Sequence, residues 1–216
     1  MARKLYLLAL LWALAVPVAF AVDVPLADYC RRHQHDSGWK KHFAKLCSVS
    51  EVYAHGFGVA AILATAFVLD PAQRRRLPRM IACTVCGGVS ANVLKFAVVR
   101  WRPRERAVEC VWDSFGGWFG GVDWGPLDRV ARDHAYSFPS GHAATAVSLA
   151  IVLTALYPRG RWLFALFAVL AAAQRLDTTA HYLSDTLAGA AIACAICGLI
   201  FDRRFAGRWF DRLEKL

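Results

Sequence analysis

Apolar residues are grouped along the chain into six runs, each close to the length of a membrane-spanning helix. About 20 helical residues cross a bilayer, and the runs cover residues 5–22, 51–69, 80–99, 139–157, 162–178 and 181–201. Polar and charged residues are concentrated between them. The pattern predicts an all-α polytopic membrane bundle of about six transmembrane helices, consistent with a hydrophobic content of 57%.

The first run has two interpretations. Arg3 and Lys4 precede it, and Ala19-Phe20-Ala21 near its end has the small residues of a signal-peptide cleavage site. Because the run is longer than the apolar core of most signal peptides, we expect a retained span. If the segment is cleaved instead, five spans remain.

Charged segments divide the chain into three parts and orient it. Residues 1–50 comprise the first span and a polar external loop, residues 51–201 form a helical core with a long external loop at 100–138, and residues 202–216 form a basic tail. Arginines mark the loops at 74–79 and 159–161 and the tail. The positive-inside rule places these three segments in the cytoplasm.

Composition excludes some functions and leaves one question open. The net charge of +10 is largely carried by loops that orient a membrane protein, so nucleic-acid binding is not expected. Cysteine pairs at 83–86 and 194–197 lie in apolar runs rich in Ala and Gly, which favours helix packing over metal binding. Cys30 and Cys47 lie in the polar loop, and the sequence leaves open whether they are bridged.

The long connection at 100–138 is rich in aromatic residues. It carries tryptophans at 101, 112, 118 and 124 and a glycine-rich stretch at 115–121. Such a connection fits an aromatic belt at the membrane interface or a flexible lid that dips into the lipid beside the site.

Two basic residues mark the outer end of the third run. Lys95 and Arg102 are seven residues apart, which would place them on nearly the same helical face before Pro103 ends the helix. Charges at that depth either extend to lipid headgroups or line a polar cavity that holds an anion.

The fourth run begins with residues suited to binding an anion. Pro139 fits the first turn of a helix, and Ser140 and Gly141 follow it with backbone N–H groups that we expect to be free. A helix start directs backbone N–H groups and its dipole at a bound anion. His142 lies in the same turn, so it is a candidate general acid.

A second histidine lies at the start of the last run. His181 and Asp185 are four residues apart, which predicts one helical face and a carboxylate that orients the imidazole. An imidazole held in this way is prepared for nucleophilic attack. Arg175 lies six residues before His181, so the chain must break between them.

The order of the spans brings all these residues to one membrane face. Lys95 and Arg102 end an outward span, and His142 begins an inward one. Arg175 ends the next outward span, and His181 and Asp185 begin the last inward one. Three cations, a helix N-terminus and two histidines with a carboxylate indicate phosphoryl transfer through a phosphohistidine better than metal-dependent hydrolysis.

Three motifs in this order resemble the signature of the phosphatidic acid phosphatase type 2 superfamily. They are Lys95-x6-Arg102-Pro103, Pro139-Ser140-Gly141-His142 and Arg175-x5-His181-x3-Asp185. The resemblance implies that His181 is the nucleophile, Asp185 its orienting partner and His142 the acid that protonates the leaving group. It further implies a phosphate-binding set without metal or cofactor, namely Lys95, Arg102, Ser140, Gly141 and Arg175. Gln174 stands where the family commonly has serine, which affects a detail of phosphate contact.

The resemblance predicts an integral membrane enzyme that removes phosphate from a lipid phosphate or pyrophosphate. We expect it in a bacterial inner membrane, with the bilayer and a lipid substrate as partners and the site facing the periplasm. Two alternatives are a phosphotransferase of the same family that uses a lipid acceptor and a non-catalytic anion- or lipid-binding protein. The sequence leaves open the oligomeric state and the choice among phosphatidate, phosphatidylglycerophosphate, polyprenyl pyrophosphate and lipid A phosphate.

Overall fold

The computed structural model describes residues 1–33, 38–118 and 136–215. Within these ranges, α-helices form at α1 (Ala2–Arg32), α2 (Trp39–Ser50), α3 (Gly56–Leu69), α4 (Leu77–Lys95), α5 (Gly141–Leu156), α6 (Arg161–Asp177), α7 (Leu183–Phe201) and α8 (Gly207–Leu213). Two short strands, β1 (Val98–Arg100) and β2 (Phe115–Trp118), pair antiparallel. The expected all-α polytopic membrane bundle is confirmed.

Every apolar run contains a helix, but the helices differ in length from the expected spans. Among the described residues, Ala2–Arg32, Pro71–Lys95 and Leu183–Phe201 are long and apolar enough to cross a membrane. Trp39–Ala54 and Gly56–Leu69 form a further pair bent by 69°. The 16-residue α5 is shorter than a full span, because residues at both ends of its run lie outside the helix, and the 17-residue α6 is as long as its run at 162–178.

Helix α1 is longer than the sequence suggested. It was expected to end near residue 22, yet it continues to Arg32 through Pro17 and Pro25. Membrane helices tolerate proline because other groups satisfy the freed backbone carbonyls. Part of the predicted polar loop is therefore helix, and it carries the buried Asp23 into the bundle.

Helices α5 and α7 form the centre of the bundle. Helix α7 packs against α1, α4 and α5, and α5 also packs against α4 and α6. Small residues permit this proximity: a Cβ at Gly87 would lie 2.1 Å from the Ser148 hydroxyl oxygen. Cys83 and Cys197 are buried in the core, in agreement with the packing interpretation, and Cys30 and Cys47 are free thiols.

The predicted basic tail is a short helix attached to the rest of the bundle. Arg79 of α4 forms ion pairs with Asp211 at 2.6 Å and Glu214 at 2.8 Å, and Phe210 is buried beside it. The basic segments at 74–79 and 203–215 therefore lie at the same end of the bundle.

The described part of the long connection packs against α1. Phe20 makes edge contacts with Trp112 at 5.6 Å and Phe115 at 6.0 Å between ring centroids. The strand pair was not expected, because its segments show no clear alternation. Trp124 and the end of the glycine-rich stretch lie outside the described residues, so the lid and belt interpretations both stay predictions.

Candidate active site

A cavity of about 200 Å³ lies where α4 ends, α5 begins and α6 turns into α7. Its walls are formed by Ala54, His55, Asn92, Lys95, Arg102, Gly141, His142, Thr145, Arg175 and His181. Six of the eight residues selected from the sequence are in this set. The other two lie directly behind it: Asp185 contacts His181, and Ser140 caps α5.

His181 lies in the turn before α7 rather than on the helix, contrary to the expectation of a shared helical face. Tyr182 is the N-cap residue of α7, and Asp185 accepts its backbone N–H at 2.8 Å. This capping bond turns the carboxylate back towards the residues that precede the helix. Asp185 Oδ2 consequently lies 3.5 Å from His181 Nδ1 and also accepts a hydrogen bond from the Ser137 hydroxyl.

The environment of His181 favours a neutral imidazole. Burial lowers the pKa of His181 to about 4, and the Asp185 carboxylate only partly opposes this shift. At neutral pH the ring is uncharged. With the Nδ1 proton directed at the carboxylate, the Nε2 lone pair is available for attack on an electrophile.

Ser140 and Gly141 fix the start of α5. The Ser140 hydroxyl accepts the Ala143 N–H at 3.3 Å, and the Ser140 N–H donates to the Asp185 carbonyl at 2.9 Å. The N–H of Ser140 is therefore engaged, contrary to the expectation that it was free, and its buried side chain does not line the cavity. The helix begins at Gly141, two residues later than the run suggested, and His142 faces the cavity from its first turn.

Lys95 and Arg102 reach the same cavity by a different route from the one expected. Helix α4 ends at Lys95 and β1 follows it, so the two residues do not share a helical face. The segment after β1 returns Arg102 to the cavity wall. Its Nε atom is buried and has no hydrogen-bond partner among the described residues, so it is available to donate to an anion in the cavity.

Arg175 is held by two residues that the sequence did not single out for this purpose. Its guanidinium pairs with Glu51 at 2.8 Å, and its Nε donates to the side-chain oxygen of Gln174. Gln174 also donates to Glu51 at 3.2 Å, so the glutamine at the family's serine position joins the two charged groups. Glu51 lies 3.8 Å from the Nε2 atom of His142.

The sequence also missed His55, Asn92 and Thr145 in the cavity wall. Each lies within or beside an apolar run. The local signals that could have marked them are neighbours at helical spacing: Glu51 lies four residues before His55, Lys95 three residues after Asn92, and His142 three residues before Thr145.

Comparison with known proteins supports this description. The model of the PAP2 superfamily matches residues 76–209, more than half of the chain. Two curated relatives, both named lipid A 1-phosphatase, are 33% identical to it. The alignment with the one from Rhizobium etli is 151 residues long and covers 63% of this chain and 60% of the relative. The alignment with the one from Rhizobium johnstonii is 127 residues long and covers 54% of this chain and 47% of the relative. The chain thus matches about half of the length of these relatives.

No solved structure matches the chain with comparable significance. The family match nevertheless includes all three motifs, from Lys95 to Asp185, and six residues of these motifs line the cavity. The chain therefore belongs to the PAP2 superfamily.

Proposed function

We propose that the protein is a metal-independent membrane phosphatase that hydrolyses a lipid phosphate through a phosphohistidine. The observation that carries the proposal is the cavity itself. Its wall contains His181, which Asp185 contacts from behind, together with His142 and the cations Lys95, Arg102 and Arg175. No group of three or more His, Cys, Asp or Glu side chains suited to a metal ion occurs in the described part of the chain.

The reaction has two steps. In the first, His181 Nε2 attacks phosphorus, the bond between phosphorus and the lipid oxygen breaks, and His142, held protonated by the bound phosphate and by Glu51, gives that oxygen a proton. In the second, water attacks phosphorus while His142 accepts a proton from it, the bond between phosphorus and His181 Nε2 breaks, and inorganic phosphate leaves. Asp185 stabilises the positive charge on the substituted imidazole, and the three cations stabilise charge on the phosphoryl oxygens.

A groove beside the cavity supports a lipid as the substrate. It lies between α3 and α4, has a volume of about 740 Å³ and is lined mostly by apolar side chains such as Leu63 and Val85. Asn92 and Thr145 line both the groove and the cavity. The proposed occupant is an acyl chain of the substrate, because a phosphate in the cavity would place its attached chain at the groove entrance.

The names of the two relatives make lipid A carrying a 1-phosphate the first substrate to test. The proposed location is a bacterial inner membrane, with the cavity facing the periplasm. Two features support this orientation: the basic segments lie together at one end of the bundle, and the cavity lies where α4 ends and α5 begins.

The test is phosphate release by purified protein from a panel of lipid A, phosphatidate, phosphatidylglycerophosphate and polyprenyl pyrophosphate, with excess chelator present. We expect release from at least one lipid and none from a His181→Ala variant. Following a labelled phosphoryl group shows whether the enzyme transfers it to water or to a lipid acceptor. Release by the His181→Ala variant, or complete and metal-reversible inhibition by chelator, would refute the mechanism.

A second test examines the groove. A Val85→Trp substitution fills part of the space between α3 and α4, where Val85 is half exposed. The KM for long-chain lipid phosphates should rise relative to the KM for short-chain analogues. Equal changes for both chain lengths would show that the acyl chain lies elsewhere.

A further inference from the structure

Behind the cavity, the described residues include a polar network that is almost fully enclosed. Arg100 and Asp185 have no exposed surface, and Asp23 of α1 is 1% exposed. Buried charges are stable in a protein only when they are paired and hydrogen-bonded. Asp23 lies outside the residues matched by the family model, so the family motifs do not explain it.

Arg100 connects the two carboxylates. Its Nη1 donates to Asp185 Oδ1 at 2.5 Å, and its Nη2 donates to Asp23 Oδ2 at 2.8 Å. Its Nε donates to the Ser114 hydroxyl at 3.0 Å, and the guanidinium lies 4.1 Å from the centre of the Tyr182 ring. Every nitrogen of this side chain has a partner, which fixes the position of the carboxylate that faces His181.

Asp23 also holds the first turn of α7. Its Oδ1 accepts the Ser184 N–H at 3.0 Å, and its Oδ2 accepts the Ser184 hydroxyl. Ser184 immediately precedes Asp185. The same carboxylate therefore fixes both Arg100 and the backbone from which Asp185 extends.

The charges suggest what Asp23 contributes. Arg100 and Asp185 alone would form a neutral pair, which would weaken the attraction of Asp185 for a positively charged imidazole. Asp23 balances Arg100 and leaves the network with one net negative charge beside His181. That charge matters most when His181 carries the phosphoryl group, because the imidazole is then cationic.

We infer that Asp23, on the first membrane helix, is a positioning residue for the His181–Asp185 pair and acts through Arg100 and Ser184. The inference rests on the proposed function, because it assigns Asp23 a role in the same reaction. It also makes α1 a part of the active site.

The first experiment compares Asp23→Asn with Asp28→Asn in purified full-length protein. Asp28 lies on the same helix but is partly exposed and pairs with Arg31. For Asp23→Asn we expect kcat to fall by about 10- to 100-fold, as is typical when a group that orients a reactive side chain is lost. KM and inhibition by inorganic phosphate should change little, since Lys95, Arg102 and Arg175 are untouched. Asp28→Asn should behave like the wild type.

The second experiment restores the charge balance. Arg100→Gln leaves two buried carboxylates close together, whereas the double variant Asp23→Asn/Arg100→Gln returns the network to one negative charge. Because Asp23 acts through Arg100, we expect the kcat losses of the two single variants not to multiply in the double variant, and we expect the double variant to have a higher thermal midpoint than Arg100→Gln. Wild-type kcat in Asp23→Asn, or kcat losses that simply multiply in the double variant, would overturn the inference.

The thermal midpoints separate failure of this inference from failure of the proposed function. If the wild type releases no phosphate from any lipid in the panel, the proposed function fails, but the four midpoints still measure whether Asp23 and Arg100 are coupled. Midpoint changes that simply add would refute the coupling. A kcat loss in Asp23→Asn that disappears after correction for the folded fraction would show a structural role only and would overturn the positioning role.

Discussion

Gly189 on α7 lies so close to the start of α5 that even one added methyl group should impair the reaction. A Cβ at this position would be 2.4 Å from the Ser140 carbonyl oxygen and 3.1 Å from the Ala144 nitrogen, whereas ordinary contact begins at 3.4 Å. The obstructing atoms belong to the backbone, so rotating a side chain cannot relieve the clash. In Gly189→Ala, the first turn of α5 should move about 1 Å away from α7.

The displacement can be converted into an expected rate. His142 extends from the turn that moves, while His181 precedes the helix that stays, and a misplacement of about 1 Å can cost on the order of 100-fold in rate. Overpacking should also lower stability by about 1–3 kcal/mol. We expect kcat for phosphate release to fall about 100-fold, measured well below the thermal midpoint of the variant.

Gly198→Ala is the matched control on the same helix. Its Cβ would lie 2.7 Å from a ring carbon of Tyr6, a side chain that can move aside, and it is far from the cavity. This variant should keep a kcat close to that of the wild type. If Gly189→Ala retains a kcat within about threefold of the wild type, the close approach of α7 to α5 does not set the geometry of the two histidines.

Three further outcomes are expected. His142→Ala should slow turnover by roughly 100-fold, and the loss should be smaller for substrates whose leaving groups are acidic and need no proton. An equal loss for all substrates would exclude the general-acid role. The pKa of His181 is about 4 in the folded protein and 6.5 in the unfolded chain, so only the unfolded chain takes up this proton between those two values. The free energy of unfolding should therefore fall as the pH drops from 6.5 to 4, by at most about 3 kcal/mol. The thermal midpoint of His181→Gln should lack this part of the pH dependence. In intact spheroplasts, a membrane-impermeant maleimide should label the exposed Cys110 when the other cysteines have been replaced. It should not label a cysteine introduced by Gln73→Cys. Labelling of position 73 but not of Cys110 would place the cavity in the cytoplasm.

The parts of the site that the sequence predicted depend on local spacing and on the order of the spans. His142 at a helix start, the chain break between Arg175 and His181, and the meeting of all three motifs at one membrane face follow from these two features alone. Lys95 and Arg102 show the limit of this reasoning. Both line the cavity, but the helix that was expected to carry them ends at Lys95, because tertiary pairing of β1 with β2 overrides the helical pattern.

The contacts that sequence reasoning missed join distant parts of the chain. Asp23 meets Arg100 over 77 positions, and Gln174 meets Glu51 over 123. Neither pair has a periodic or short-range signal, and the polar character of residues 23–32 favoured a loop. Only the packing of α1 along α7 shows why a carboxylate is placed there.

The bond between Asp23 and Ser184 joins α1 to α7, the last of the long apolar helices, and so bears on how the protein is made. The two residues are separated by 161 positions, and at a synthesis rate of roughly 5–20 residues per second the ribosome needs about 10 to 30 seconds to cover that distance. During this interval Asp23 lacks Ser184 and Asp185, and for part of it Arg100 as well. Helix α1 should therefore stay near the membrane surface, where water can solvate the carboxylate, and reach its final depth only when α7 is inserted.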